Sequence, residues 1–529
     1  MNIIDKAIAV INPISGAKRA AARAAISQMD KIYKERDAKK RNFDGAAKGP
    51  RYAGWRRPDG SANSNLEGSL EWVVRSSRDL ARNNPYHVAA VRAAVNNTVG
   101  AGINPHLRYS FDQENQRKQA LKQSKKVTGY YNKWAGTTDC DFDGRLTLNG
   151  ITHLAFQTER ESGECLIRRI RRKSSEGFIS FQIQILEGDY LDCTKDKTLA
   201  NGGRIVKGIE FDSKGRRRGY WLYEDHPGDT GVFRHGIISK FVPAEDIIHM
   251  YELRRPGQAR GYPCCAPIIT RLKDFDDFED ASLVRQKIAA CWSVFIKDME
   301  APSKMAAPTA LDANKEQQEV EPLERVNPGM IEYLGPGKDI SFASPPGVQN
   351  YKEYSTSVLH AIATGFGVTY EAMTGDYSGV NYSSGRMGWL EMNRNVISWR
   401  AFIIQAQMLD NIQKWFEESL ELRGVETDTL EWTWNPPKRE MTDPSKEIGG
   451  KVKEIRAGGK PLRRYIAENG DDFEQVLAEY AEDNEMLDKY GLIFDSDPRN
   501  TGVSGQLQAE QSDNMDGDKN QEDLPADDK

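Results

Sequence analysis

Residues 365–394, GFGVTYEAMTGDYSGVNYSSGRMGWLEMNR, constrain the fold more than any other stretch. A helix ends there in glycines, at Gly365 and Gly367. A polar, aromatic loop follows with Tyr377, Ser378, Asn381, Tyr382, Ser383, Ser384 and Arg386. A long amphipathic helix then begins. Glycine suits the helix end because it reaches left-handed backbone without a Cβ penalty. The loop offers hydrogen-bonding groups but no nucleophile–base pair, no metal-ligand cluster and no phosphate-cradling motif. Such a surface touches a polymer without reacting with it.

The elements around this loop set an order. Ser69 to Arg82 reads as a helix, and Asn84-Pro85 caps a second that stops at Gly100 and Gly102. Residues 109–135 read as a polar helix. From Cys165 to Met250 the period changes to short β-branched and aromatic runs, LIRRI, FISFQIQIL, IVKGIEFD, GYWLYE and IIHMYE, with a hairpin turn at Ser213–Gly215. This is an α+β body. A helix is expected from about Pro267 to Lys297, a rod of roughly 45 Å. Val284, Ile288, Cys291 and Phe295 form a narrow apolar stripe along it, as in helices packed side by side. Residues 301–326 are polar; GMIEYL and ISFAS read as two short strands; a helix over 350–364 leads back to the loop. The helix Ser384–Leu422, a strand LEWTW, and helices at 444–457, 461–469 and 471–490 complete the order.

At 529 residues the chain exceeds one hydrophobic core, and no run of about 18 apolar residues marks a membrane span. Six scattered cysteines, never spaced C-x-x-C, read as reduced thiols. Net charge is only −5, unevenly spread. Residues 1–64 hold 14 Lys/Arg against 6 Asp/Glu, and residues 505–529 hold 8 Asp/Glu against 2 Lys. Both ends are poor in large apolar residues, so composition expects mobile arms.

Catalytic patterns fail one by one. Gly335-Pro336-Gly337-Lys338 lacks the spacing of a phosphate loop and the following Ser/Thr. No H-e-x-x-H pattern exists, and the seven histidines are dispersed. Ser383-Ser384-Gly385 does not fit a nucleophile elbow. The acidic run with Asp274, Asp276, Asp277, Glu279 and Asp280 reads three ways: a solvated face, an electronegative lining, or a divalent-ion site. The last is disfavoured because metal catalysis draws carboxylates from several elements. We expect no metal and no cofactor.

The chain resembles portal proteins of lambda-like tailed bacteriophages over residues 65–495. The resemblance is carried by RSSRDLARNNPYHVAAVRAAVNNTVGAGINP (75–105), ESGECLIRR (161–169), LEGDYLD (186–192), KGIEFDSKGRRRGYWLYEDHPGD (207–229), VPAEDIIHMYELRRPGQARGYP (242–263), IATGFGVTYEAMTGDYSGVNYSSGR (362–386) and DPSKE (443–447). It implies a non-enzymatic ring, usually of twelve copies, at one capsid vertex of the virion, assembled in the host cytoplasm. Double-stranded DNA would pass through it during packaging and ejection. The terminase large subunit, major capsid and scaffold proteins, and head-completion or adaptor proteins would dock on it. By the same resemblance, residues 65–262 are a wing joined by 388–440. Residues 263–300 and 348–364 are a stem, 301–347 a clip, 365–387 a helix end and tunnel loop, and 441–495 a helical crown. Residues 1–64 form a basic arm and 496–529 an acidic tail. Tyr377, Ser378, Asn381, Tyr382, Ser383, Ser384 and Arg386 would touch DNA. Asp274, Asp276, Asp277 and Asp280 would line the channel, and Val284, Ile288, Cys291 and Phe295 would form the subunit interface. Two readings from other classes stand beside this one: a packaging nuclease, and a shell or scaffold protein that never meets DNA.

Overall fold

The computed structural model describes residues 13–39, 50, 54, 59–111, 116–173, 177–229, 238–290, 294–298, 338–342, 351–437, 444–468 and 473–492. The chain divides into two compact units between Asn65 and Leu66. The first contains α1 (Pro13–Lys39), a helix where composition alone expects a mobile arm. Its alanines, lysines and arginines are strong helix formers, and that propensity needs no apolar stripe.

The second unit begins with α2 (Leu70–Asn83) and α3 (Pro85–Thr98). Asn84 between them caps α3, its side chain accepting the N–H of His87 at 2.8 Å, with Pro85 at the first helical position. Ala90, Val91, Ala94 and Val95 bury the inner face of α3. Next comes β1 (Asn104–Tyr109), so the helix expected from residue 109 starts later, as α4 (Arg117–Ala135). β1 pairs antiparallel with β12 (Leu430–Asn435), a partner too distant in sequence for local pattern to reveal. α5 (Leu148–Ser162) has no counterpart in the sequence expectations. It is capped by Thr147 and stopped by Gly163 at φ +89°.

Two antiparallel sheets follow. β2 (Glu164–Arg171) lies between β3 (Phe181–Glu187) and β9 (Ile247–Tyr251). β4 (Lys197–Thr198), β5 (Arg204–Val206), β6 (Ile209–Phe211), β7 (Arg217–Leu222) and β8 (Lys240–Pro243) form a meander in sequence order. The hairpin expected at Ser213–Gly215 joins β6 to β7, with Gly215 at φ +84°. The mixed α+β character is therefore as the sequence implies.

α6 (Ile269–Ala290) stops short of the expected Lys297. Val294–Asp298 instead forms β10, paired with β11 (Lys338–Phe342). Val294, Phe295 and Ile296 are β-branched or aromatic and suit a pleated ladder as well as a helix face. Phe295 therefore does not continue the helical stripe. Ile288 lies on the helix, but its side chain, Cys291, the segment GMIEYL, and the regions 301–326 and 496–529 lie outside the described residues.

α7 (Tyr351–Phe366) returns beside α6, with Phe278 of α6 packed on Tyr351 and Tyr354 at ring distances of 5.8 and 4.5 Å. After α8 (Tyr370–Thr374), a continuous helix runs as α9 (Tyr382–Trp399), a π-helical segment (Arg400–Leu409) and α10 (Asp410–Glu421). α11 (Pro444–Arg456), α12 (Leu462–Glu468) and α13 (Phe473–Tyr490) follow β12 close to the expected limits. The main core joins α3, α4, α5, β2, α7 and the long helix, and its aromatic centre is Tyr131, Trp134, Phe181 and Phe416.

Candidate polymer-contact surface

The loop between α8 and α9 is built by local hydrogen bonds. Thr369 caps α8, and Gly375 ends it in left-handed backbone at φ +73°. Asp376 accepts the N–H of Ser378 at 3.0 Å and the hydroxyl of Tyr370 at 3.3 Å. These bonds, Ser378 foremost, hold its carboxyl below the usual carboxylate range. Asn381 then opens α9 through a reciprocal cap. Its side chain accepts the N–H of Ser384 at 2.8 Å, while the Ser384 hydroxyl accepts the N–H of Asn381 at 3.0 Å.

All seven loop residues singled out from sequence are exposed: Tyr377, Ser378, Asn381, Tyr382, Ser383, Ser384 and Arg386. They are not equivalent. The side chains of Asn381 and Ser384 are engaged in the cap, so within the chain their role is to start the helix. Tyr377 is 64% and Tyr382 46% exposed, and these carry the aromatic surface. Arg386 donates to the Tyr382 hydroxyl at 3.3 Å. Lys446, from α11, stands 5.5 Å from the Tyr382 ring centroid. Two cations thus flank Tyr382, and the loop is less neutral than its own sequence suggests. Lys446 lies in the DPSKE stretch, but its neighbourhood with residue 382 is a tertiary fact that no local spacing encodes.

The acidic helix α6 also sorts itself. Leu272, Phe275 and Ser282 face inward. Asp276 is half-buried and accepts a hydrogen bond from Asn84 Nδ2 at 2.7 Å, so it is turned toward α3 and not onto the open face. Glu279 accepts from the hydroxyls of Tyr351 at 3.1 Å and Tyr86 at 3.4 Å. Burial, and then the Glu279 charge, push Tyr86 up to about 12. Asp274, Asp277 and Asp280 remain exposed, with Asp277 paired to Lys273 at 2.7 Å. Beyond them Leu283 and Val284 are 50% and 54% exposed, an apolar step on the open side of the helix.

One cluster resembles a metal site. Ligand atoms of Glu187, Asp189 and His226 lie within 4.8 Å of one another. Arg78 already occupies the space, 3.0 Å from Glu187 and 2.5 Å from Asp189. His226 Nδ1 accepts the N–H of Gly228 at 3.0 Å, so the neutral ring carries its proton on Nε2, toward Glu187 at 3.3 Å. A metal-bound histidine has the opposite arrangement, with its second nitrogen donating. The donor set fits a salt-bridged surface and does not fit a cation.

A family model described as "Phage portal protein, lambda family" matches residues 48–400. The chain belongs to the lambda family of phage portal proteins. The portal protein of Escherichia phage N15 is 23% identical over 479 residues, covering 82% of this chain and 88% of its own. Portal protein B of Escherichia phage lambda is 22% identical over 473 residues, covering 82% and 87%. A probable portal protein of Halomonas phage phiHAP-1 is 23% identical over 372 residues, covering 68% and 70%. Among solved structures, a chain in the neck of a native gene transfer agent particle, computed with C12 symmetry, covers 73% of this chain and 90% of its own, at 14% identity and a TM-score of 0.42. An HK97 family phage portal protein from Corynebacterium diphtheriae covers 68% and 95%, at 9% identity and a TM-score of 0.31. Portal proteins are structural, non-enzymatic parts of the virion at the portal vertex, where copies form an oligomeric ring. The nuclease and shell-protein readings give way to this one. No helix among the described residues is long and apolar enough to cross a membrane.

Proposed function

We infer that twelve identical copies close into a ring around double-stranded DNA, and that residues 377–386 are its contact with the duplex. The observation that carries this reading is the exposure of all seven loop residues at one loop–helix junction, with Arg386 and Lys446 beside Tyr382. Twelve α6 helices about 10 Å apart would circle a bore of roughly 28 Å once side chains are subtracted. A sliding duplex must not be clamped, because each Lys or Arg that pairs with a phosphate adds affinity through counterion release. Asp274, Asp277 and Asp280 on the open side of α6 supply repulsion there, while the loop supplies a few adjustable contacts. The terminase large subunit, major capsid and scaffold proteins, and head-completion or adaptor proteins are the partners this reading requires.

The test keeps the helix cap and removes only the contact groups. Tyr377→Ala, Tyr382→Ala and Arg386→Ala, combined, should leave ring assembly intact and lower packaged, retained DNA at least tenfold. Normal yields of infectious particles from the triple variant would defeat the proposal.

A further inference from the structure

The helix α4 has two faces of opposite character. Ala120, Ser124, Val127, Tyr131 and Trp134 recur at helical spacing, are buried, and pack α4 on the body. Lys118, Lys122, Lys125, Gly129 and Lys133 recur at the same spacing half a turn away, and all are exposed. Lys126 stands at the edge of that stripe, 5.8 Å from the Tyr130 ring centroid. From Gln116 to Thr138 the sequence holds six Lys/Arg and no Asp or Glu. The acidic residues nearest in sequence are Asp112 and Glu114 before the first turn and Asp139 after the last. Asp139 is already held by Arg172 at 2.7 and 2.8 Å. None of these lysines pairs with a carboxylate among the described residues.

For a single copy this stripe is a cost. Like charges one helical turn apart repel. Gly129, in its middle, makes a poorer helix than alanine by about 1 kcal/mol. The fold does not require glycine there, since nothing stands within 4 Å of the place a Cβ would take. Its effect is a bare gap between Lys125 and Lys133, where another backbone can approach closely. No large apolar side chain of α4 is exposed. The centre of a protein–protein interface is apolar and aromatic and is poor in lysine. A row of lysines around a bare centre fits a polyphosphate instead. From Lys118 to Lys133 the stripe runs about 22 Å, a length over which B-DNA presents about 13 phosphate charges.

We propose that the lysine face of α4 binds double-stranded DNA along its phosphate backbone, as a second contact separate in the chain from residues 377–386. A bore through which a duplex slides tolerates few cations. Several lysines per copy, repeated around a ring, would clamp it through counterion release. Such a face therefore suits a stationary duplex lying against the outside of the ring. From the function proposed above, the inference takes only that duplex DNA meets the ring and slides in its bore.

Relaxed, covalently closed circular DNA tests it. A closed circle is not threaded through a closed ring, so its binding by the assembled full-length protein reports outer surfaces. The parent should bind circles with an affinity that falls steeply as salt rises. Lys122→Gln, Lys125→Gln and Lys133→Gln, combined, keep helix propensity and should weaken that binding at least tenfold. They should also lower the slope of log affinity against log salt by about 2.7 or more, the share of three phosphate contacts. Lys197→Gln, Lys214→Gln and Arg216→Gln remove the same charge from the β4–β7 meander and should change neither quantity. Equal loss in this control would reduce the effect to net charge and overturn the proposal. So would a parent that leaves circles unbound. Binding of polyglutamate by the three lysines, with circle binding unchanged in their variant, would also overturn it and make an acidic protein the occupant. Each of these outcomes leaves the loop reading standing, because that reading is decided by the triple variant at Tyr377, Tyr382 and Arg386.

Discussion

Glu164 shows how a single residue ties the body together. It accepts from Arg260 Nε at 2.8 Å, from His249 at 3.0 Å and from the Gly261 N–H at 2.9 Å. Burial alone would raise its pKa, but Arg260 and then His249 hold the carboxyl well below the usual range. Gly163 and Gly261 allow the close approach: a Cβ on Gly261 would lie 2.0 Å from the Gly163 carbonyl oxygen. Glu164→Gln leaves the Arg260 guanidinium buried without its counter-charge, and should cost about 3–5 kcal/mol in denaturant unfolding. An unchanged midpoint would show that the pair is not buried in solution. Histidine burial sets a pH dependence. Desolvation pushes His87 and His249 down to about 4, whereas unfolded histidine titrates near 6.5. Between those values the unfolded chain binds protons that the folded chain refuses. Stability is therefore full above about pH 6.5 and lost as pH falls toward 4. His87→Phe should flatten the slope of the unfolding midpoint over that window; an unaltered slope would place His87 in water.

At the scale of elements, local signals were legible and tertiary ones were not. The cap at Asn84-Pro85, the glycines ending α3 and α7, and the Ser213–Gly215 turn can be read because each depends on a few adjacent residues. The π-helical segment within Arg400–Leu409 has no such marker. It is held from outside, where Gln407 pairs with Tyr251 and also donates to the Phe402 carbonyl at 3.0 Å. Phe295 was legible as apolar but not as strand, because its partner Ser341 lies across the chain. The loop residues are all exposed, yet sequence alone does not separate the role of Asn381 and Ser384 as a cap from polymer contact. That separation is testable. Asn381→Ala should destabilise the start of α9 by about 1 kcal/mol, whereas Asn381→Asp should retain the cap. Hydrogen exchange of the Ser384 amide distinguishes them: fast in Asn381→Ala, protected in Asn381→Asp. Equal protection in both would remove the cap from the account.

For the whole molecule, the distinction that matters is between groups that hold one copy together and groups left for its neighbours. The β1–β12 ladder joins Asn104 to Asn435 and packs Trp432 on Phe416 and Tyr131, so two strands distant in sequence are stitched together within one copy. Leu283 and Val284 are different: both are about half exposed on α6, past the carboxylates of the same helix. Replacing exposed side chains away from special features changes the stability of a single copy by only about 0.5 kcal/mol. If the ring closes along α6, burying a new charge there costs several kcal/mol per copy, and each copy takes part in two contacts of the closed ring. Leu283→Asp with Val284→Asp should therefore leave the unfolding midpoint of the isolated chain nearly unchanged while abolishing the ring. Mass photometry checks this directly: a closed assembly of twelve 59.5 kDa chains for the parent, and single chains or open fragments for the double variant. Intact rings from the variant would move the interface off this part of α6, to a surface that the single chain leaves equally open.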